Sequence, residues 1–125
     1  MIRLFFIFDY TIIMKTITRS DFEQIDIRVG TIIDVQNFPE AKKSAYKLVI
    51  DFGSEIWLKK SSAQITDYYK PEELLNTQIL WVVNFQPKQI GPFISECLVT
   101  GIYNREWKVI LIRPDHYCDN GCKLW

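Results

Sequence analysis

The chain has 125 residues, which fits a single domain because one core usually occupies about 100–200 residues. Hydrophobic residues make up 48% and charged residues 24%, an ordinary globular composition that excludes a disordered or fibrous chain. Lys+Arg is 15 and Asp+Glu is 15, so the formal net charge is zero, and a nucleic-acid partner would have to be bound by a local basic face.

The first thirteen residues, MIRLFFIFDYTII, are almost all apolar or aromatic. A membrane span needs roughly 20 apolar residues, and this run is shorter and contains Asp9. No small-residue cleavage site follows it, so a signal peptide is not predicted and no membrane partner is expected. We expect residues 1–13 to be an N-terminal extension, either upstream of a natural start at Met14 or forming an apolar arm in a subunit interface. Residues 14–125 are expected to form the domain.

Alternating apolar and polar side chains predict strands through much of the chain. Residues 25–35 are rich in β-branched side chains, and Gly30 within them marks a bulge or bend. Residues 45–51 predict a second strand with Tyr46, Leu48 and Ile50 on one face. Residues 55–60 predict a third strand, with Ile56 and Leu58 opposite Trp57 and Lys59.

A helical segment is predicted after the third strand. The sequence Ser61-Ser62-Ala63-Gln64 has the S-x-x-Q form of a capping box and predicts a helix over 62–69. Pro71 and the two acids after it predict one more helical turn, which ends at Asn76.

The second half of the chain predicts more strands. Residues 78–84 (QILWVVN) are apolar on both faces, which suits burial on both sides or a contact. Residues 85–93 predict a loop, and 97–103 and 107–112 predict two further strands. This order predicts an all-β fold: a five-stranded Greek-key OB-fold barrel with a short helix between strands three and four, plus additional terminal strands or extensions. Such barrels bind oligonucleotides or oligosaccharides on one open face.

The cysteines and the single histidine suggest little chemistry. Cys97 lies in an apolar run and is expected to be a small buried hydrophobe. Cys118 and Cys122 form a C-x3-C pair near His116, which is too few ligands for a complete zinc site. A terminal disulfide and ordinary free thiols both remain open. The odd cysteine count fits a reducing compartment, so we expect a cytoplasmic protein. His116 is the only histidine, and the sequence has no Gly-rich phosphate loop and no GxSxG motif, so we expect no metal, no cofactor, no catalytic residue and no enzyme activity.

Four long segments, in order and evenly spaced, closely resemble the CsaA family of free-standing tRNA-binding domain proteins. They are DFEQIDIRVGTIIDV at 21–35, AYKLVIDFG at 45–53, KKSSAQIT at 59–66 and NFQPKQIGPFISECLVTG at 84–101. The module is also similar to the C-terminal appendage of many methionyl-tRNA synthetases. The resemblance implies a homodimeric OB-fold protein that binds tRNA. It also implies an alternative role as an export-related chaperone that binds unfolded polypeptide in apolar clefts near the dimer interface.

Basic and amide side chains supply the predicted RNA-binding residues. In an OB-fold the second and third strands and the loops beside them form the ligand face, where several lysines fall. The alternative is that these lysines only solvate strand edges. Asn84, Lys88 and Ser95 belong to the motif shared with the family and are inferred RNA contacts from that resemblance. The complete predicted set is Lys42, Lys43, Lys47, Lys59, Lys60, Asn84, Lys88 and Ser95.

Aromatic and remaining charged residues complete the predicted site. Phe38, Trp57, Phe85 and Phe93 are candidates for stacking on bases, with core or dimer packing as the alternative. Phe85 and Phe93 could equally form the apolar pockets of a polypeptide-binding site. We expect Glu96 to hold the loop or pair with a lysine. Arg28 is expected to face a partner subunit or to pair with an acid such as Asp26.

Overall fold

The computed structural model describes residues 14–125, and the predicted extension at residues 1–13 lies outside them. Among the described residues, no helix is long and apolar enough to cross a bilayer. The elements in chain order are α1 (Arg19–Glu23), β1 (Ile27–Asn37), β2 (Tyr46–Asp51), β3 (Leu58–Ala63), α2 (Pro71–Leu74), β4 (Gln78–Val82), β5 (Lys88–Ile90), β6 (Phe93–Ser95), β7 (Leu98–Val99), β8 (Gly101–Tyr103) and β9 (Val109–Leu111).

Five strands form one antiparallel sheet in the order β3-β2-β1-β4-β7. Strand β1 pairs with β4 through residues 27–31 and with β2 through residues 31–37, so it takes part in both halves of the sheet. The sheet nearly closes on itself, because the backbone N–H of Glu96 donates to the carbonyl of Lys60 in β3 at 2.7 Å. The predicted all-β barrel of OB-fold type is therefore confirmed.

The register shift in β1 lies beyond Gly30, so a bulge at Gly30 is wrong, whereas the alternative of a bend there stays a prediction. Pairing with β4 runs without a break through Gly30, and the register shift falls between Ile32 and Asp34. Glycine is needed at position 30 because the side chains of Ile50 and Phe52 lie close to its backbone. A Cβ atom there would lie 2.5 Å from Ile50 Cγ2 and 2.6 Å from Phe52 Cε1.

The barrel interior is filled by the inward side chains of β1, β2 and β4. In β2 burial alternates as predicted, with Tyr46, Leu48 and Ile50 inside. Trp81 is fully buried and its indole N–H donates to the carbonyl of Gly30 at 3.2 Å, which satisfies the one polar atom of that side chain. The Phe52 ring packs edge-on against Trp81, with centroids 6.3 Å apart.

The predicted helix over 62–69 was wrong, because β3 continues through Ser61, Ser62 and Ala63. The serine groups bond across the barrel rather than capping a helix. The Ser61 hydroxyl donates to the carbonyl of Cys97 at 2.8 Å, and the backbone N–H of Ser62 donates to the hydroxyl of Ser95 at 3.0 Å. Tertiary bonds have overridden the local capping pattern.

The third strand also begins later than predicted and has the opposite phase. Residues 53–57 form a turn in which the N–H of Trp57 donates to the carbonyl of Gly53 at 2.8 Å. Trp57 has a positive φ of 70°, so the chain leaves the extended conformation there. As a result Lys59 shares a face with buried Ser61, and Leu58 and Lys60 point outward.

The short elements agree with the prediction in one case and differ from it in three. The helical turn at α2 is confirmed, and it is followed by Asn76 with φ 66°. Helix α1, whose N-cap is Thr18, was not predicted. The predicted loop over 85–93 contains β5 and leads into β6, which together form a hairpin. The single strand predicted over 97–103 is divided into β7 and β8.

The C-terminal segment lies alongside the first part of β1. The N–H of Val29 donates to the carbonyl of Cys122 at 2.9 Å, and the N–H of Gly121 donates back to Val29 at 2.8 Å. The N–H of Leu124 donates to the carbonyl of Ile27 at 2.8 Å. These bonds satisfy backbone groups of β1 where it is not paired with β2.

Candidate nucleic-acid interface

Two lysines share the outward face of β2 and β3. Lys47 lies opposite Ser62, and Lys60 lies opposite Val49, so the two lysines are diagonal neighbours on one face of the sheet. Lys47 Nζ is 5.5 Å from the centroid of the Phe38 ring, and Lys60 Nζ is 5.4 Å from that of Phe93. The two rings contact edge to face, with centroids 5.5 Å apart. We call Phe38, Phe93, Lys47 and Lys60 the lysine–phenylalanine cluster.

The cluster places two lysine ammonium groups close to two phenylalanine rings. Each cation–π contact is worth about 0.5–1 kcal/mol at an exposed site, enough to bias where each ammonium group lies. Phe38 is only 3% exposed and Phe93 is half-buried, so the rings serve mainly as a support. The ammonium groups remain available to an anionic ligand such as a phosphate.

Three hydrogen bonds hold the end of β6 and the residue after it, Ser95 and Glu96, against β3. The backbone N–H of Lys60 donates to Glu96 Oε1 at 2.9 Å, and Glu96 N–H donates to the carbonyl of Lys60 at 2.7 Å. The N–H of Ser62 donates to the hydroxyl of Ser95 at 3.0 Å. The expectation that Glu96 holds the loop is confirmed. These bonds fix the position of β6, and therefore of Phe93, relative to Lys60.

A groove of about 890 Å³ lies between β3, the β5–β6 hairpin and the β7–β9 segment. Its lining combines apolar, amide and basic groups, among them Phe85, Gln86, Lys88, Leu98 and Tyr103. Lys88 is exposed and pairs across the hairpin with Ser95. The groove therefore adjoins the backbone of β3 that carries Lys60 and Ser62.

The other predicted lysines lie in different places. Lys42 and Lys43 are exposed on the loop between β1 and β2, which places them before Lys47 in the chain. Lys59 lies on the face of β3 opposite to Lys60 and is one of the charges acting on Cys97. Of the lysines predicted on the second and third strands, Lys59 is the one that the structure turns away from Lys47 and Lys60. RNA contact by each of these residues stays a prediction.

The Asn84 side chain is occupied at both ends by backbone groups. Its Oδ1 accepts from the N–H of Asp26 at 3.0 Å, and its Nδ2 donates to the carbonyl of Gln24 at 2.7 Å. These bonds tie the chain just after β4 to the segment between α1 and β1. Sequence reasoning missed this role because the partners lie about 60 residues away in the chain.

The predicted aromatic candidates fall into three environments. Phe85 is 56% exposed and lines the groove, whereas Phe38 and Phe93 belong to the lysine–phenylalanine cluster. Trp57 is exposed at the turn between β2 and β3. Of the two residues predicted to form apolar pockets for a polypeptide, Phe85 lines the groove and Phe93 packs in the cluster, and their contact with a polypeptide stays a prediction. The sequence did not single out Tyr103 in the groove or the neighbouring Trp107.

Arg28 is paired with acids rather than free. Its Nε donates to Asp26 Oδ1 at 2.6 Å, and its Nη1 approaches Glu55 Oε1 at 3.4 Å. The hydrogen bond to Asp26 raises the pKa of the Arg28 guanidinium, while burial opposes that effect. The same Nη1 donates to the carbonyl of Gly121 at 3.0 Å, which anchors the C-terminal segment. The predicted pairing with Asp26 is confirmed.

The three cysteines are free thiols. Cys97 is buried, as predicted, and burial raises the pKa of its thiol to about 12. Burial also raises the pKa of Cys118, and the neighbouring Cys122 raises it further. Within residues 14–125, no three His, Cys, Asp or Glu side chains are grouped so that they could hold a metal ion.

Comparison with known proteins places this geometry in a family. The sequence profile described as "Putative tRNA binding domain" matches residues 27–123. The methionine–tRNA ligase of Pyrococcus furiosus is 36% identical over 111 residues, which are 89% of this chain and 15% of the ligase. The chain thus spans about 15% of the length of such curated relatives, and only that domain matches.

Two solved structures match over their whole length. The CsaA chaperone protein from Picrophilus torridus has 53% sequence identity and a TM-score of 0.83, covering 88% of this chain and 100% of that one. The chaperone CsaA from Bacillus anthracis has 42% identity and a TM-score of 0.83, covering 89% and 100%. The barrel and the matched segments together assign the family: the chain belongs to the tRNA-binding domain family, and its structural neighbours are CsaA proteins.

Proposed function

We propose that this protein binds tRNA through the outward face of β2 and β3 and the hairpin beside it. The observation that carries the proposal is the lysine–phenylalanine cluster, in which Lys47 and Lys60 lie on one face although the whole chain is neutral. A local pair of cations attracts phosphates within about a Debye length, roughly 8 Å at physiological salt.

The lysines and the polar residues have different roles in this proposal. Lys47, Lys60 and Lys88 contact phosphates directly, with Lys42 and Lys43 extending the basic surface along the loop. Asn84 and Ser95 position this surface, because their side chains already bond backbone groups. Lys59 lies on the other face of β3 and contributes only at longer range.

The proposed function is tested by titrating labelled tRNA with nucleic-acid-free protein at about 50 mM and about 200 mM salt. Binding carried by several phosphate contacts should weaken steeply over this range. A double-stranded DNA of similar charge serves as the control for simple charge attraction. No salt-sensitive binding of tRNA at low salt, or equal binding of both nucleic acids, would count against the proposal.

Binding of unfolded polypeptide is a second candidate function, and one specific observation favours it. The groove of about 890 Å³ presents Phe85, Leu98 and Tyr103, and Phe85 is 56% exposed. Binding in such a groove should survive high salt because it depends on apolar burial. We expect Phe85→Ala to weaken binding of a reduced, unfolded client, and Phe93→Ala to act only indirectly. Indifference of client binding to Phe85→Ala would exclude the groove.

We further propose that the protein is a non-enzymatic homodimer that acts in the cytoplasm, where tRNA is available. Exposed Ile102 and Ile110 pair across the β8–β9 hairpin, on the face opposite to groove-lining Tyr103, and offer an apolar contact. Two linked copies of one basic face would bind a large RNA more tightly than one copy does. A monomer by light scattering at micromolar concentration would refute the dimer.

A further inference from the structure

An exposed aromatic pair lies at the end of the β8–β9 hairpin. Tyr103 is 66% exposed and Trp107 is 77% exposed, and their ring centroids are 5.7 Å apart in an edge-to-face arrangement. We call these two residues the aromatic tip. Tyr103 also lines the groove that contains Lys88, so the tip borders the candidate nucleic-acid interface.

The turn that carries the tip is held in place by Asn104. Asn104 Oδ1 accepts from the N–H groups of Glu106 at 2.9 Å and Lys108 at 3.0 Å. Its Nδ2 donates to the hydroxyl of Tyr68 at 2.7 Å, and the N–H of Trp107 donates to its carbonyl at 3.0 Å. The aromatic tip is therefore ordered before any ligand binds, which lowers the entropic cost of stacking on it.

Holding a tryptophan at this position has a cost that folding does not recover. Trp107 has a φ of 63°, a left-handed conformation that is unfavourable for a bulky residue and is usually left to glycine or asparagine. The ring remains largely in water, so it gains little apolar burial within the chain. Trp57 shares this conformation and exposure, so the feature that points to a ligand at Trp107 is its contact with Tyr103, which lines the groove.

The charges around the tip favour a nucleic acid over an apolar polypeptide. Arg105 is exposed in the turn beside Trp107, and Lys108 Nζ lies 5.6 Å from the centroid of the Tyr68 ring. The one acid of the turn, Glu106, accepts from the hydroxyl of Tyr68 at 3.3 Å. Cations next to an exposed indole suit a flat base flanked by phosphates.

We propose that an unpaired base of a bound RNA stacks on Trp107, with Tyr103 supporting the indole and Arg105 close to the adjoining phosphate. This inference rests on the proposed function, since it names a contact of the same RNA. It adds a stacking site beside Tyr103, which lines the groove together with Ser62 of β3 and Lys88, so that a single-stranded end or loop of the RNA would run along the groove.

The test compares two tryptophans that share a backbone conformation. Trp57 is 68% exposed with φ 70°, and Trp107 is 77% exposed with φ 63°, so Trp57→Gly is a matched control for Trp107→Gly. Loss of one stacked base should weaken tRNA binding between about 5-fold and about 150-fold. We expect that loss for Trp107→Gly and not for Trp57→Gly, with an unchanged salt slope. Trp107→Phe should restore most of the affinity, because an aromatic face returns.

The outcomes separate the inference from the proposed function. Wild-type protein that binds tRNA with Trp107→Gly unaffected, or affected no more than Trp57→Gly, overturns the stacking site alone. Wild-type protein that does not bind tRNA overturns the proposed function itself. Self-association lost in Trp107→Gly by light scattering, or client polypeptide binding lost with tRNA binding kept, would assign the aromatic tip to a protein contact and overturn the inference.

Discussion

Removing the Asn84 side chain should destabilise the protein more than it weakens RNA binding. Asn84→Ala deletes the acceptor for Asp26 N–H at 3.0 Å and the donor to the Gln24 carbonyl at 2.7 Å. Each hydrogen bond contributes about 0.5–1.5 kcal/mol, and the site is exposed, so the expected loss is about 1–2 kcal/mol in the free energy of unfolding. That loss corresponds to a urea midpoint lower by about 0.5–1 M.

Urea unfolding at 25 °C, followed by tRNA titration of the folded variant, measures both quantities. Gln86→Ala is the control, since Gln86 is exposed in the same loop and its side chain makes no hydrogen bond within residues 14–125. We expect no change in its urea midpoint. An Asn84→Ala variant with wild-type stability and strongly weakened tRNA binding would refute the reasoning and make Asn84 a direct contact.

Four further predictions follow from individual side chains. Gly30→Ala should cost about 1–3 kcal/mol in thermal unfolding, because its Cβ would meet buried Ile50 and Phe52 at 2.5–2.6 Å, and wild-type stability would contradict that packing. At neutral pH a thiol reagent should label Cys118 and Cys122 but label Cys97 only after unfolding. Burial raises the pKa of the Cys97 thiol from 9.0 to about 12, so the buried thiol should contribute its full share to the free energy of unfolding below about pH 9. That contribution should be lost as pH rises towards 12, and Cys97→Ala should reduce this fall in stability. Glu96→Gln keeps an acceptor for Lys60 N–H and removes a negative charge, so tRNA affinity at low salt should rise by about 1 kcal/mol or less. A fall would contradict the expectation that the amide oxygen replaces the carboxylate in this bond.

The sequence predicted the strands whose signal is local. The alternation in β2 was sufficient because Tyr46, Leu48 and Ile50 are buried as the period-two pattern requires. In β3 the same reasoning gave the wrong boundary and phase. The boundary was missed because the alternating pattern does not show the turn from Gly53 to Trp57. The extension through Ser61 and Ser62 was missed because they bond Cys97 and Ser95, which lie 36 and 33 positions away. A capping-box pattern carries no information about such partners.

The candidate site was predictable only in part for the same reason. Placing lysines on the second and third strands follows from strand period and from the family resemblance. The aromatic support of those lysines could not be predicted, because Phe38 and Phe93 come into contact from distant parts of the chain. The opposite orientations of Lys59 and Lys60 depend on the phase of β3, which the sequence did not determine.

The number of phosphates bound by this face can be read from the salt dependence of tRNA binding. Each phosphate neutralised on single-stranded or duplex nucleic acid contributes about 0.7–0.9 to the slope of log K against log salt concentration. If Lys47, Lys60 and Lys88 each bind one phosphate, changing all three to alanine should reduce the slope by about 2–3. Changing Lys59 to alanine, on the opposite face of β3, should leave the slope nearly unchanged. An unaltered slope in the triple variant, or an equal loss in Lys59→Ala, would contradict the proposed RNA-binding face.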